Sequence, residues 1–462
     1  MNTLSEVLLS APGATSTPIV VVRADEFEQW HATLGADQQT WLVRQSFTAQ
    51  SGQSAWLEQD GIAKVVCGWD GKHDLSTLGH MPLALPEGDY HLDSDLSDIQ
   101  VLGWALGAYQ FDRYKAAKRK PARLFADIGD ETRHIADAVA LGRDLINTPA
   151  EDMTPSDLSE AIARMAQTFD ANLEVQMGDE LLDIGARTIH TVGRAADAPP
   201  LLADMTWGNP DHPKITLVGK GVTFDSGGLD IKSSTGMRQM KKDMGGAAIA
   251  IGLAHLIMAT QLPIRLRLLI PAAENAIAGN AFRPGDVIST YKGLTVEIDN
   301  TDAEGRLLLC DALAMASEEK PELIIDFATL TGAARIAVGT EISAMFTVSD
   351  EVAHALHSQG ETADDPVWRL PIHQGYSHMM KSSVADVVNS ASSGYAGATT
   401  ATLFLQKFVS DADWVHFDTM AFNTRSRPGR PEGGEPMALR AVYHYIAERY
   451  GSGTGATRDA NQ

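Results

Sequence analysis

The residues best suited to chemistry in this sequence are four carboxylates in three short polar blocks. They are Asp225, Asp243, Asp302 and Glu304. If one end of a hydrophobic sheet gathers them, they cannot all stay ionised in a partly dry site without compensating cations. Metal ions are the natural compensation, and an oxygen-rich set with neither Cys nor His favours Mn²⁺, Mg²⁺, Co²⁺ or Zn²⁺. Any one of these residues alone is better explained as a helix cap or an ion-pair partner, but that explanation does not account for all four together.

The elements that must position these blocks alternate along the chain between short apolar strands and helices. The predicted elements of this region are Ile215–Val218, Ala247–Ala259, Ile264–Ile270, Leu294–Asp299, Leu307–Ser317 and Leu323–Phe327. Their alternation predicts an α/β fold with a mainly parallel central sheet flanked by helices. In such sheets ligands bind at the carboxyl ends of the strands. We therefore expect the four carboxylates to converge there.

The first part of the chain is predicted to form a small α/β unit of its own. Its predicted elements are a strand at Ile19–Val22, a hairpin of Ser54–Glu58 and Ile62–Cys67 around Asp60-Gly61, and a helix at Asp98–Lys120. A second helix, Glu131–Ile146, ends before Pro149, which disfavours its continuation. Because 462 residues exceed what one core usually holds, we predict an N-terminal α/β domain over 1–126, a linker helix over about 127–150 and a larger C-terminal domain over 151–462. The Gly- and Ser-rich tail after Tyr450 is predicted to be frayed.

Composition and charge narrow the class of protein. The net charge of −23 argues against a nucleic-acid or anionic-membrane partner recognised through overall charge. With only Cys67 and Cys310 a disulfide framework is excluded, and the lack of Lys or Arg before Arg23 argues against a secretory signal. The longest uncharged stretch, residues 244–264, is interrupted by glycines and Pro263, which favours a buried helix running into a strand over a membrane span. We expect a cytoplasmic protein.

Three motifs carry a specific family resemblance. They are "VGKGVTFDSGGLDIK" at 218–232, "MKKDMGG" at 240–246 and "NTDAEGRL" at 300–307. Further similar segments read "LINTPAEDMTP", "RPGDV", "DFATLTGA" and "AGATTATLFLQKFV". In these motifs the chain resembles the leucyl aminopeptidase family, nearly throughout from about residue 140 onward. The resemblance implies a two-metal exopeptidase that removes amino acids from the N-termini of peptides.

The same resemblance implies which residues hold the metal ions. Asp225 and Glu304 would bridge two divalent ions in each subunit, Mn²⁺ or Zn²⁺ first and Co²⁺ or Mg²⁺ as alternatives. Asp302 would ligate one ion, and Lys220 and Asp243 the other. As a ligand Lys220 needs a neutral amine, which demands a large downward shift of its pKa. The competing interpretation of Lys220 is an ion pair with Asp225 or Asp243.

Two further residues are implied to be catalytic without binding metal. Lys232 would stabilise the oxyanion of the tetrahedral intermediate, and Arg306 would hold a bicarbonate ion that relays the proton. For both, surface salt bridges are the alternative.

Substrate contacts are expected around the same end of the sheet. Thr329, Leu330 and Gly332 follow a predicted strand and would contact the substrate backbone, or else form a helix cap with a turn glycine. The side-chain pocket would include Met240 and its neighbour Met237, which suit a leucine-type preference, with core packing as the alternative.

Two other interpretations compete with this one. Gly219-Lys220-Gly221 after a strand suggests a phosphate loop, but the required glycine spacing and the Ser or Thr after the lysine are missing. A non-catalytic binding or architectural member of the family is the second alternative, which the complete ligand set argues against. The resemblance also implies peptide substrates and a homo-oligomer, specifically a hexamer.

Overall fold

The computed structural model describes residues 3–11, 15–59, 61–72 and 74–451. Asp60 of the predicted hairpin turn and the predicted frayed tail beyond Gly451 lie outside these ranges. The chain forms two compact units, one of Met1–Asp144 with Asn423–Gly433 and one of Leu145–Phe422 with Gly434–Gln462. The boundaries predicted at residues 126 and 151 stay predictions.

The first unit contains a six-stranded sheet with short helices. Its elements are β1 (Leu8–Leu9), β2 (Thr17–Arg23), α1 (Phe27–Ala32), α2 (Ala36–Arg44), β3 (Ser54–Gln59), β4 (Ile62–Trp69), α3 (Asp74–Leu78), β5 (Asp89–Leu92), α4 (Asp98–Gly107) and β6 (Arg123–Phe125). Helix α5 (Asp130–Asn147) begins in this unit. The strand order is β1-β6-β5-β2-β4-β3. Strands β3 and β4 pair antiparallel, as the predicted hairpin requires, and the other pairs are parallel.

One helix of this unit is shorter than predicted. The prediction of a helix from Asp98 to Lys120 was wrong, because α4 ends at Gly107. Residues 100–106 are all buried, whereas residues 112–118 are all exposed. A helix continued through that polar stretch would have no apolar face to pack, so its formation would gain little. The Gln110 side chain instead donates to the Arg119 carbonyl oxygen at 2.8 Å and closes a loop.

The second unit contains the larger sheet. Its elements before the middle of the unit are α6 (Pro155–Phe169), β7 (Asn172–Met177), α7 (Glu180–Asp183), α8 (Arg187–Gly193), β8 (Leu201–Trp207), β9 (Lys214–Gly219), β10 (Gly221–Asp225), α9 (Ser234–Met237), α10 (Gly245–Ala259), β11 (Arg265–Asn275), β12 (Val287–Ser289), β13 (Thr295–Glu297) and α11 (Gly305–Glu318). They are followed by β14 (Leu323–Ala328), α12 (Gly332–Val338), β15 (Ser343–Phe346), α13 (Asp350–Thr362), β16 (Val367–Arg369), β17 (Val387–Val388), α14 (Gly397–Gln406), β18 (Asp413–Asp418), β19 (Phe422–Asn423), β20 (Gly433–Gly434) and α15 (Leu439–Tyr450). Short 3₁₀ helices lie at Leu4–Val7, Ala150–Asp152, Met240–Met244 and Gln374–Met380.

The nine-stranded sheet of this unit has a parallel centre. Its order is β16-β15-β18-β14-β9-β11-β8-β7, with β10 pairing β11. Strands β18, β14, β9 and β11 run parallel, and the antiparallel pairs lie toward the edges. The strands of the centre are buried along almost their whole length, as expected for a sheet covered on both faces. The predicted α/β class with a mainly parallel central sheet is confirmed.

The apolar stretch that is long enough to cross a membrane is a core helix. By length and composition the segment Met240–Ala259 qualifies as a candidate span, but 89% of its most apolar window is buried inside the protein. A Cβ on Gly246 would lie 2.1 Å from the Phe327 carbonyl oxygen, so α10 and β14 approach backbone to backbone. Only glycine permits this approach, which brings the start of α10 against the carboxyl end of the sheet.

Candidate active site

The four carboxylates lie on three segments that meet at the carboxyl end of the parallel strands. Asp225 ends β10, Asp243 lies in the 3₁₀ helix before α10, and Asp302 and Glu304 lie in the turn before α11. Carboxylate oxygens of Asp225, Asp302 and Glu304 come within 4.8 Å of one another. Asp225, Asp243 and Glu304 are buried, and Asp302 is the exposed member of the group. The structure therefore brings the predicted residues together.

Lys220 joins the fourth carboxylate to the other three. Its Nζ lies 2.6 Å from Asp243 Oδ2 and 3.0 Å from Glu304 Oε1, and the side chain is buried. Its backbone N–H donates to Phe327 of β14, and its carbonyl oxygen accepts from Ala247 of α10. A Cβ on Gly305 would lie 2.4 Å from Lys220 Cε, so the helix that follows Glu304 begins with the residue that leaves room for the lysine.

Lys232 bridges the other side of the cluster. Its Nζ lies 2.7 Å from Asp225 Oδ2 and 2.5 Å from Asp302 Oδ1. The loop that carries it turns through Gly227 and Gly228, whose φ angles of +88° and +64° favour glycine. Four carboxylates thus share two ammonium groups through direct contacts, which leaves an excess of negative charge in a largely buried place.

Burial and this excess of negative charge together shift the pKa values of the clustered groups. Burial and the nearby charge of Asp225 raise the pKa of Glu304 to about 8, against the opposing charges of Lys220 and Lys232. Burial and Asp225 also raise the pKa of Asp302. Burial would lower the pKa of Lys220, but the charges of Asp243, Glu304 and Asp225 outweigh it and hold the pKa above its ordinary value. Lys220 therefore forms ion pairs with Asp243 and Glu304. The pair with Asp243 is one of the two named in its alternative interpretation.

Hydrogen bonds from neighbouring groups fix the orientation of the buried carboxylates. Asp225 Oδ1 accepts from the Gly227 backbone N–H and the Asn275 side chain, both at 2.9 Å. Asp243 Oδ1 accepts from the Thr329 hydroxyl at 2.7 Å. Such support orients a ligand before any ion binds and raises metal affinity where an ion is present.

Arg306 lies in the first turn of α11 and is buried. Its Nη1 donates to the Asn389 carbonyl oxygen at 2.7 Å, and its Nε has no hydrogen-bond partner among the described residues. Burial lowers the pKa of the guanidinium to about 10. It is therefore not a surface salt bridge, and its free N–H is a donor for an anion.

The predicted substrate contacts lie on two segments, one after β14 and one before α10. Thr329 and Leu330 follow β14, and the Leu330 N–H donates to Asp418 Oδ1 at 2.9 Å. Gly332 begins α12, is exposed and has open space where a Cβ would lie. Met240 is half-buried and begins the 3₁₀ helix that contains Asp243.

Three charged residues around the site were missed from the sequence. Lys242 is buried directly beside Asp243, and Arg335 lies on α12. Asp418, at the end of β18, accepts from the N–H groups of Leu330 and Thr331. Lys242 stands inside the "MKKDMGG" motif, which was the one available signal, but a sequence does not tell a buried lysine from a solvated one.

The donor set fits divalent cations. Oxygen ligands at this density suit Mn²⁺, Mg²⁺ or Zn²⁺. Burial and the charge of Asp225 raise the pKa of Glu304. Bound cations would lower that pKa and would compete with the lysines for the carboxylate oxygens.

Comparisons with known proteins identify the family. A model described as the cytosol aminopeptidase family, catalytic domain, matches residues 140–443, and the M17 aminopeptidase N-terminal domain matches residues 17–127. The chain belongs to the cytosol aminopeptidase family. A probable cytosol aminopeptidase of Geobacter sp. (strain M21) is 33% identical over 96% of this chain and 99% of its own length.

Solved structures extend the likeness to three dimensions. The crystal structure of the cytosol aminopeptidase from Coxiella burnetii shares 46% identity, with a TM-score of 0.92 over 96% of this chain and 100% of that chain. The bottromycin maturation enzyme BotP in complex with Mn shares 31% identity, with a TM-score of 0.84 over 94% of this chain and 99% of that chain. As a cytosol aminopeptidase family member, the chain is a metallo-exopeptidase hydrolase that acts on peptides. The resemblance inferred from the motifs is confirmed.

Proposed function

We propose that this chain is a two-metal aminopeptidase that hydrolyses the N-terminal peptide bond, with a preference for leucine-type residues. The observation that carries the proposal is the convergence of Asp225, Asp302 and Glu304 within 4.8 Å, joined to Asp243 through Lys220. We assign Asp225 and Glu304 as ligands shared by both ions. The proposed further ligands are Asp302 for one ion, and Lys220 and Asp243 for the other.

The bound ions would supply an activated water, polarise the scissile carbonyl and bind the free α-amine of the substrate. The BotP structure in complex with Mn supports manganese as one such ion, with Zn²⁺, Co²⁺ and Mg²⁺ as alternatives. Lys220 must give up its proton to act as a ligand, so its ion pairs with Asp243 and Glu304 would be replaced when metal binds.

Two side chains of the protein act on the reacting groups. The Lys232 ammonium, freed from Asp225 and Asp302, would donate to the oxyanion that forms at the scissile carbonyl. Arg306 would hold a bicarbonate ion through its unpartnered Nε, and this ion would relay the proton. Thr329, Leu330 and Gly332 are proposed to position the substrate backbone, and Met240 to form an apolar wall for its side chain.

We further propose that the enzyme works in the cytoplasm as a homohexamer. The large unit exposes several big apolar side chains, including Ile336, Trp368 and Tyr395, and such residues are common at subunit interfaces. Light scattering on the purified protein measures the mass directly, and a monomer at working concentration would contradict the hexamer. A purely binding or architectural role is the alternative, and it is not favoured because the full set of carboxylates and lysines is in place.

The proposed function is tested by metal-dependent hydrolysis of leucine p-nitroanilide. Protein stripped with a chelator should be inactive, and Mn²⁺ or Zn²⁺ should restore hydrolysis. N-acetyl-leucine p-nitroanilide is the matched control, because its blocked amine offers no basic nitrogen to the site. Failure of Mn²⁺, Zn²⁺, Co²⁺ and Mg²⁺ to support hydrolysis, or equal hydrolysis of the acetylated substrate, would contradict the proposal.

A further inference from the structure

An open cleft in the first unit is lined by two tryptophans that the fold leaves partly exposed. The cleft has a volume of about 560 Å³, and its lining comes from α2, β3 and β4. Trp41 of α2 is 49% exposed, and Trp56 of β3 is 37% exposed. Proteins usually bury most of the area of a tryptophan side chain. Two exposed ones at the same cleft therefore indicate a contact that the chain does not make with itself.

Two glutamines hold α2 along the outer edge of β3, which is the last strand of its sheet. Gln45, directly after α2, accepts from the Trp56 N–H at 3.1 Å and donates to the Trp56 carbonyl oxygen at 2.9 Å. Gln38 of α2 donates to the Glu58 carbonyl oxygen at 2.8 Å. Trp41 lies three residues after Gln38 and four before Gln45, so it shares their face of the helix. The two tryptophans are thus held at the same cleft by the fold of the first unit.

The charged side chains of the cleft are all acidic. Its lining includes Asp37 and Glu58 but no Lys, Arg or His, and no ion pair with a described residue involves either carboxylate. Asp37 precedes Trp41 by four residues on α2, so the two lie on the same face of the helix. Glu58 follows Trp56 by two residues on β3, so the two point to the same side of the strand. Two indoles and two carboxylates therefore face a ligand in this cleft, and both kinds of group attract positive charge.

We propose that the cleft binds a small organic cation of the quaternary ammonium class, with its methyl groups against the indoles of Trp41 and Trp56. A cation over the face of an aromatic ring is attracted by the ring, and tryptophan gives the strongest attraction of this kind. A quaternary ammonium has no N–H to donate, so it loses no hydrogen bond to water when indoles surround it. A cleft of this volume can hold such a molecule whole. The site is independent of the proposed aminopeptidase function, because its lining lies within the first unit.

Isothermal titration of the full-length protein with choline tests the proposal. The control ligand is the neutral isostere of choline, in which a quaternary carbon replaces the charged nitrogen and the shape is kept. Choline should bind at least about tenfold more tightly than this isostere, because only the cation gains from the rings and the carboxylates. Equal affinities, or no binding of choline, would overturn the proposal without any variant. A trimethyllysine peptide that binds more tightly than choline would overturn the assignment to a small free ligand.

Substitutions locate the binding on the protein. Trp41→Leu and Trp56→Leu should each weaken choline binding by about 5- to 30-fold, because each removes one ring. Glu58→Gln should weaken it by about two- to fivefold, as expected for an exposed charge. Tyr114→Leu is the matched control, because Tyr114 is an exposed aromatic residue of the same unit whose ring already contacts the Arg113 guanidinium, and its affinity for choline should equal that of the wild type.

Two results with these variants would contradict the proposal. The first is an affinity for choline that neither Trp41→Leu nor Trp56→Leu lowers, because the cation would then bind elsewhere. The second is a smaller particle mass for Trp41→Leu than for the wild type in light scattering. That result would show that the cleft is covered by a second copy of the chain.

Discussion

At the scale of single residues, the candidate site contains more negative charge from carboxylates than its two lysines neutralise. Lys220 and Lys232 each contact two carboxylates, yet the pKa of Glu304 still rises to about 8 because the residue is buried near Asp225. We propose different roles for these lysines when cations are bound. Lys220 would be a metal ligand, and Lys232 would donate to the oxyanion. Their contacts in the protein alone explain how the site stays folded before metal arrives.

Lys232 gives the most direct residue-scale prediction. Lys232→Met should lower kcat by roughly 100- to 1,000-fold, because it removes a donor to the developing oxyanion. The amount of metal bound per subunit should change little, since Lys232 is not a proposed ligand. Steady-state kinetics with elemental analysis of the same sample measure both. A kcat close to that of the wild type would show that Lys232 does not act on the transition state.

From the sequence alone, functional residues could be recognised only where they stand in an unusual local motif. The motifs made Asp225, Asp302 and Glu304 visible, and these side chains converge in space. Lys242 and Arg335 were not visible, because a sequence does not show which charged side chains pack inside, and that packing involves segments far apart in the chain.

At the scale of elements, the site is set by where α10 and α11 begin. Gly246 lets α10 approach β14, and Gly305 lets α11 start over the Lys220 side chain. Helix α11 is also tied down further along. Asp311 accepts from the Thr188 N–H at 2.9 Å and from the Tyr291 N–H at 2.7 Å, which anchors α11 to α8 and to the segment before β13. These anchors hold Glu304 and Arg306 in place.

The Asp311 anchor predicts a pH dependence of stability. Burial raises the pKa of Asp311 to about 6, so its stabilising contribution is full below the unfolded-state pKa and is lost as the pH rises through the folded-state value. Asp311→Asn does not titrate. The difference in free energy of unfolding, wild type minus variant, should therefore fall by about 1–2 kcal/mol between about pH 5 and pH 8.

Urea unfolding of both proteins at the two pH values measures this difference. A constant difference would mean that Asp311 has the same pKa in the folded and unfolded chains. A rising difference would mean that the folded protein favours the charged form, contrary to the burial argument.

Elements with a strong apolar pattern were predictable, and those with competing signals were not. The buried helix α10 and the strand β11 after it follow from a long, mostly apolar sequence, and the structure has both. The predicted extension of α4 to Lys120 was wrong because propensity alone does not hold a polar helix in place. Strand β10 was not predicted, since it is only five residues long and begins with Gly221.

At the scale of the whole molecule, the class and family followed from the sequence, whereas the assembly does not follow from one chain. The parallel centre of the nine-stranded sheet and the match over residues 140–443 agree with the predicted α/β aminopeptidase. The net charge of −23 suits a protein whose site itself has an excess of carboxylates. The shape of a hexamer depends on contacts between copies, which no local pattern encodes.

The central claim is that the acidic cluster exists to hold two divalent cations over the first bond of a peptide. Anomalous diffraction from crystals grown with Mn²⁺ tests it most directly. The account predicts two manganese peaks, both within coordination distance of Asp225 and Glu304, with Lys220 turned from its ion pairs toward one of the ions. Crystals that show Lys220 and Lys232 still bonded to the carboxylates, with no manganese peak between Asp225 and Glu304, would contradict it.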